Sequence, residues 1–443
     1  MIQVSISKDL QNIIDDLNNT KKNSKENYEI ALKKLRILST QHPKENLINK
    51  LLAKIYFKKM DWENAIKYYN KILIFEKEKF KIYLNIGVAF FKLGKITNSI
   101  DSFEKSIKDN SNFDLTYSNL GISYLELGNY NKATENFIAA LKLNKDNHFA
   151  QSNLIRLFNI NRPSDISSHP LLNINFKINK ILKNKKIRNF KELENIKEIL
   201  NESDNIIKNS YKNLFLNETQ IYRKNSKNLN CKRHFKVFNK FQIIPKFCFS
   251  CYKVQIDLKN VIELIKLYFV FDDINFKNNN IRKCIVEIRD KIVGNYKGYI
   301  YCESLNEAKI ISDKISEVLK DSQSIRAKIK IKNGCSEFYE IFPKFGKINF
   351  NGNQEMNYNK NWEKKENIVD NEEPKRLEID KKIWGETLKG INLSDILIIK
   401  NWISYAATIG DLSYKLIYDK EIKINLINNI LKNQLNFRKK NLP

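Results

Sequence analysis

The sequence predicts an α+β multidomain chain: a helical repeat array first, a small sheet domain after it, and helices at the end. Three observations predict it. A set of small and large residues recurs every 34 positions in the first third. Between residues 252 and 334, stretches alternating apolar and polar side chains are interleaved with helical stretches. Glycine and proline are scarce, 12 and 7 in 443 residues, which favours long helices over tight turns.

The repeat shows in three windows starting at Asn46, Phe80 and Asp114. Position 8 reads Ala53, Gly87, Gly121, and position 20 reads Ala65, Ser99, Ala133. These small residues let two helices touch. Position 11 reads Tyr56, Phe90, Tyr124, and position 24 reads Tyr69, Phe103, Phe137, large groups that fill the remaining gap. Position 15 reads Met60, Gly94, Gly128. A looser repeat precedes them, with NYEIALKKLRIL as its second helix and Pro43 after it. Another first helix starts at His148, and Pro163 stops the pattern.

These windows, the last above all (YSNLGISYLELGNYNKATENFIAAL), resemble the tetratricopeptide repeat over residues 1–160. The usual proline at position 32 is absent from the three. The resemblance implies a superhelix with a concave face lined by first helices, and a bound protein or peptide. Position 6 of successive first helices is Asn85, Asn119 and Asn153. Such an amide ladder would hold an extended peptide by its backbone, although asparagine at this position is also simply common in the family.

The formal charge is +28. A Lys-, Asn- and Ile-rich composition accounts for part of it. The excess is uneven: 37 basic against 20 acidic side chains in residues 161–350, against 25 and 17 in residues 1–160. A polyanionic partner would meet the middle of the chain. No apolar run is long enough for a membrane span, and the start lacks the features of a signal peptide, so a cytoplasmic protein is expected.

Residues 161–230 read as a basic helical connector, with ILKNKKIRNFKELENIKEIL its clearest helical spacing. YKVQIDL, CIVEIRD, YKGYIYCE and SIRAKIKIKNG alternate as half-buried strands. NVIELIKLYFVFDD and SLNEAKIISDKISEVLKD, the latter capped by Ser304, read as helices. The order strand, helix, strand, strand, helix, strand is the ferredoxin-like split βαβ pattern, βαββαβ, over residues 231–350. Val254, Ile256, Val286, Ile288, Ile300, Ile329 and Ile331 would face the helices. Lys253, Arg289, Tyr299, Tyr301, Arg326, Lys328 and Lys330 would face solvent.

Lys297-Gly298-Tyr299-Ile300-Tyr301 resembles the third strand of RNA-recognition motifs at its basic, glycine and two aromatic positions. It departs from that family at Ile300, Cys302 and Ser304, and the first strand lacks an outward aromatic. The resemblance implies single-stranded nucleic acid stacked on Tyr299 and Tyr301 beside Lys297, Arg326, Lys328 and Lys330. The alternative is a face covered by another part of the chain.

Six cysteines punctuate this region. Cys231-x2-His234 and Cys248-x2-Cys251 are spaced as a structural zinc site would require, with four nitrogen or sulfur ligands. Buried or free thiols, a redox pair, and an iron–sulfur cluster completed by Cys284, Cys302 and Cys335 are the competing readings. No phosphate-cradling, dinucleotide, zinc-protease or nucleophile-elbow motif occurs. A cysteine enzyme would have to use Cys335, in the stretch Asn333-Gly334-Cys335-Ser336-Glu337 next to Glu340, with His234 as its base.

Residues 351–380 read as a mobile polar linker, and residues 381–443 as helices, the first capped by Ser394 and made adhesive by Trp384 and Trp402. The expectation is a non-enzymatic adaptor or scaffold binding a protein or peptide, with nucleic-acid binding and a cysteine- or metal-dependent enzyme as alternatives.

Overall fold

The computed structural model describes residues 10–11, 13, 25–43, 45–184, 192–211, 214–289, 292–321, 325–347, 355–372, 385–420, 431 and 433–442. The chain divides into two compact units, Met1–Ala150 with Pro374–Ile379, and Gln151–Glu373 with Asp380–Pro443. No helix among the described residues is long and apolar enough to cross a membrane.

The first unit is helical. Helix α1 (Lys25–Gln41) precedes three helix pairs: α2 (Asn46–Lys58) with α3 (Trp62–Ile72), α4 (Phe80–Lys92) with α5 (Ile96–Asp109), and α6 (Asp114–Glu126) with α7 (Tyr130–Leu143). Helix α8 (His148–Leu157) starts in this unit and continues, from Gln151, in the second. The repeat positions explain the packing. A Cβ on Gly87 would lie 2.4 Å from Cε1 of Phe103, and one on Gly121 would lie 2.6 Å from Cε1 of Phe137. Each ring therefore lies directly against a glycine of the partner helix. Position 15 closes each pair with a left-handed residue: Met60 at φ 62°, Gly94 at 73° and Gly128 at 72°. Met60 takes there a conformation that costs a side-chain-bearing residue about 1–2 kcal/mol.

The second unit opens with α9 (Pro170–Asn184) and α10 (Leu193–Ser210). Residues 185–191, in the middle of the expected connector helix, lie outside the described residues. Strand β1 (Gln220–Arg223) and helix α11 (Cys231–Phe241) lead to β2 (Tyr252–Leu258), α12 (Val261–Asp273), β3 (Arg282–Val286), β4 (Tyr296–Cys302), α13 (Leu305–Asp321) and β5 (Lys328–Asn333). The sheet runs β1-β3-β4-β2-β5 with every neighbour antiparallel. Strand β1 has no counterpart in the sequence expectation: four residues are too few to show alternation.

One sheet face packs on α12 and α13. Gly298 lets α12 approach, since a Cβ there would meet Cδ2 of Leu267 at 2.4 Å. Cys284 and Cys302 are buried on this face as small apolar groups. Helix α15 (Leu393–Ile409) is buried nearly all round, with Trp402 fully enclosed and its indole donating to the Thr219 carbonyl at 2.8 Å. Its cap is Asn392, in a capping box with Asp395, and not Ser394, which is buried within the first turn. Trp384 lies outside the described residues. Part of the expected linker is structured: α14 (Glu363–Glu372) is tied to α11 by the Arg233–Glu366 and Arg233–Asp370 ion pairs, and Trp362 packs on Phe342 at 5.4 Å. Near the C-terminal end of the described residues lies α16 (Leu435–Lys440), whose Arg438 is fully buried and donates to the Ile292 carbonyl at 2.8 Å.

Candidate functional site

In the first unit the second position of successive first helices is exposed and apolar at Leu47 (40%), Leu115 (45%) and Phe149 (50%), with Lys81 between them in the series. Helices α2 and α4 carry Lys50, Lys54, Lys58, Lys81 and Lys92 and no carboxylate. Asn85 and Asn119, of the expected ladder, are half-buried. Asn85 hydrogen-bonds the Tyr69 side chain, and Asn119 donates to the Leu115 carbonyl at 2.7 Å. Asn153 belongs to the second unit, is buried, and accepts from Arg156 at 3.4 Å. The three amides are thus engaged with their own chain, which spacing alone does not reveal.

In the second unit the sheet face turned away from α12 and α13 carries Tyr222, Lys283, Lys297, Tyr299, Tyr301, Lys253, Gln255 and Lys332. This face does not meet solvent as the sequence led us to expect. Lys297 is 1% exposed, Tyr299 3% and Lys253 6%, so Tyr299 offers no open stacking platform for bases, whereas Tyr301 is half-buried and lines a cavity. Arg326, Lys328 and Lys330 are exposed, and Lys330 pairs with Asp257 at 2.8 Å. Alternating Lys and Tyr reads as a wet face in sequence. Burial here comes from segments distant along the chain.

The cations and rings of this face interleave, Lys253, Lys332 and Tyr299 buried, Lys283 and Tyr301 half-buried, and Tyr222 37% exposed. The Lys283 ammonium lies 5.6 Å from the Tyr222 ring and 5.5 Å from the Tyr299 ring. Lys253 lies 4.9 Å from Tyr301, and Lys332 lies 5.6 Å from Tyr299 and 5.4 Å from Tyr339. Such contacts are worth about 0.5–2 kcal/mol each and do not neutralise a charge. Glu287 is shared by Arg289 at 2.6 Å and Lys297 at 3.2 Å, and Glu337 takes Arg289 at 2.6 Å. Among the described residues no carboxylate lies within ion-pair distance of Lys253, Lys283 or Lys332. Burial, then the neighbouring Lys253 charge, pushes Lys283 down to about 8 and Lys332 down to about 7.

The cysteines converge on the same face. Gly334 donates to the Cys251 carbonyl at 2.7 Å, bringing the loop after β5 against the entry to β2. Gly334 must be glycine: its φ is 53°, and a Cβ would meet Cε1 of Phe345 at 2.4 Å. The next residue, Cys335, accepts a hydrogen bond from the Lys253 ammonium at 3.1 Å. Burial opposes the Lys253 charge, but Cys335, Tyr301 and Cys251 hold it protonated well above its ordinary range. Burial pushes the Cys251 thiol up to about 11 and raises those of Cys231 and Cys248, each of which also feels Cys335. Cys335, half-exposed, is thus the thiol that the other three share as a neighbour.

His234, the expected fourth zinc ligand, instead stacks on Phe247 at 5.1 Å. Burial, with Arg233 beside it, pushes it down to about 4, partly countered by Glu366 and Asp370. Among the described residues no three of His, Cys, Asp and Glu stand in a metal-holding arrangement. The charged group in contact with Cys335 is Lys253.

Models of the tetratricopeptide repeat match residues 80–111 and 115–147. The chain carries tetratricopeptide repeats. Solved structures similar to the repeat-bearing chain include residues 41–end of MamA from Desulfovibrio magneticus RS-1, at 16% identity and TM-score 0.31, covering 34% of this chain and 82% of that one. The tetratricopeptide-repeat domain of Arabidopsis OM64 is 22% identical at TM-score 0.24, covering 25% and 93%. The TPR2B domain of yeast Sti1, in a complex with a pHsp70 partner, is 27% identical at TM-score 0.23, covering 25% and 89%. No curated protein matches the chain.

Proposed function

We propose that the chain is a scaffold or adaptor that binds a protein or peptide through its tetratricopeptide repeats. The observation that carries this reading is the series Leu47, Leu115 and Phe149, exposed apolar side chains at the equivalent position of three of the four first helices, the other carrying Lys81. An isolated exposed apolar residue is ordinary; a series in repeat register is the mark of a recognition stripe. Lys54, Lys58, Lys81 and Lys92 of α2 and α4, with Lys50 already paired to Glu76 at 2.5 Å and no carboxylate on either helix, favour an acidic segment with apolar anchors. Asn85 and Asn119 keep acceptor or donor capacity for its backbone.

The strand order β3-β4-β2-β5, with α12 and α13 on one face, supports reading the sheet domain as ferredoxin-like with β1 added at its edge. That reading names a scaffold and carries no activity.

The test is selection from a displayed peptide library on the full chain. Enrichment of acidic peptides with spaced apolar residues, lost in Leu115→Asp and Phe149→Asp at unchanged helicity, supports the proposal. A library that yields no binder, or binders indifferent to both substitutions, refutes it.

A further inference from the structure

The second unit holds a feature that peptide binding by the repeats does not use. Lys253 and Lys332 stand directly opposite each other in the β2–β5 register, at 6% and 8% exposure. Lys283 reaches the same face from β3, between the Tyr222, Tyr299 and Tyr301 rings. Like charges paired across a ladder repel, and a buried ammonium without a counter-charge is expensive. Of the nearby carboxylates, Glu287 is held by Arg289 and Lys297, and Glu337 gives one oxygen to Arg289 while the other is buried without a hydrogen-bond partner and feels the Lys253 charge at longer range. Two buried lysines and a half-buried third thus share one face. A cavity of about 450 Å3, within the range that takes a small metabolite, is lined by Tyr222 and Tyr301, whose rings the Lys283 and Lys253 ammoniums contact, and by Gln220, to which Lys283 donates; the three lysines and Cys335 do not themselves line it.

We propose that this face is a binding site for a small molecule bearing an oxyanion, phosphate or carboxylate, which Lys253, Lys283 and Lys332 hold against the sulfur of Cys335. Lys253 supplies the geometric link, since its ammonium already touches that sulfur at 3.1 Å. Cys335 is half-exposed, so a ligand can reach it, while Cys248 is buried. The ligand body would lie against the tyrosine rings, and its anionic group would supply the missing counter-charge.

The test is alkylation of the native full chain by iodoacetate and by iodoacetamide at matched ionic strength, read at each cysteine by peptide mass spectrometry. In both reactions the sulfur displaces iodide, and the thiol proton goes to solvent; the reagents differ in charge. The proposal expects the iodoacetate-to-iodoacetamide rate ratio at Cys335 to exceed that of the urea-unfolded chain by about 10-fold or more, because a cationic cleft concentrates an anion. Lys253→Met and Lys332→Met should return the ratio toward the unfolded value, and Lys330→Met, which removes an exposed lysine, should leave it. Inorganic phosphate should slow Cys335 labelling saturably where potassium chloride of equal ionic strength does not. This last measurement needs no variant and stands even if Lys253→Met fails to fold. An unchanged ratio, no labelling of native Cys335 by either reagent, or equal protection by phosphate and chloride would each overturn the site.

Discussion

Lys332 faces Lys253 across the β2–β5 ladder, both nine-tenths buried, with neither ammonium paired to a carboxylate. This arrangement lowers stability and has a readable cost. Replacing Lys332 by Met keeps the aliphatic stem and removes the repulsion. We expect Lys332→Met to raise the unfolding free energy in urea at pH 7 by about 1 kcal/mol, on the scale of cross-strand pairs, and the midpoint with it. A loss of stability would show that Lys332 has a structural role.

The same pair predicts a pH dependence. Burial and then Lys253 depress Lys332 to about 7, below its unfolded value, so folding disfavours its protonated form. The penalty is complete below about pH 7 and is relieved as the pH rises toward the unfolded pKa of about 10.4. Urea unfolding between pH 7 and 10 should show a stability slope attributable to this residue, reduced in Lys332→Met. An identical slope in wild type and variant would remove this account.

His234 works in the acid range. Burial holds it neutral, pushed down to about 4, below its unfolded value near 6.5. Its contribution is intact above about pH 6.5 and is lost as the pH falls toward 4, because the unfolded chain takes up the proton first. A shift of this size corresponds to about 3 kcal/mol at most. His234→Phe should flatten unfolding free energy against pH over that window, and an unaltered profile would mean the ring is not held neutral.

In the repeats, Gly87 and Gly121 are helical glycines, where alanine ordinarily stabilises. Here a Cβ would strike Phe103 or Phe137. Gly87→Ala and Gly121→Ala should each destabilise by about 1–3 kcal/mol, the usual cost of overpacking. Phe103→Leu should partly rescue Gly87→Ala in calorimetric melting, and an additive loss would place the strain elsewhere.

Arg223 and Asp395 lie 172 residues apart and pair at 3.0 Å at the N-terminus of α15, with Tyr268 also donating to Asp395 at 3.0 Å. Breaking such a buried pair costs about 3–5 kcal/mol because the remaining charge is stranded. Arg223→Met should show that loss in denaturant unfolding, and Arg223→Met with Asp395→Leu should recover part of it. A double variant no better than the single would mean the pair is not what Asp395 needs.

Local patterns in the sequence carried much of this architecture. The 34-residue recurrence located every helix pair from Asn46 to Leu143, because packing of Gly87 on Phe103 and Gly121 on Phe137 needs those sizes at those positions. Alternation located β2 to β5 and the glycine of β4. It misjudged what covers them. Lys253, Tyr299 and Lys297 alternate with apolar neighbours as an exposed face would, yet they are buried by tertiary contacts that no local period records. The cysteine spacing pointed to His234, whereas the chain brings Cys335 to Lys253 through a glycine turn 82 residues further on. Distance along the sequence, and the four-residue length of β1, kept these features out of view.

The central claim is that the repeats hold an acidic, apolar-anchored segment on their first helices. The most direct measurement is the affinity of a selected, fluorescently labelled peptide for the full chain by anisotropy, compared with Leu115→Asp and Phe149→Asp. The account predicts at least a tenfold weaker Kd in each variant, about 1.4 kcal/mol, and a further loss in high salt. Equal affinity in wild type and both variants would contradict it.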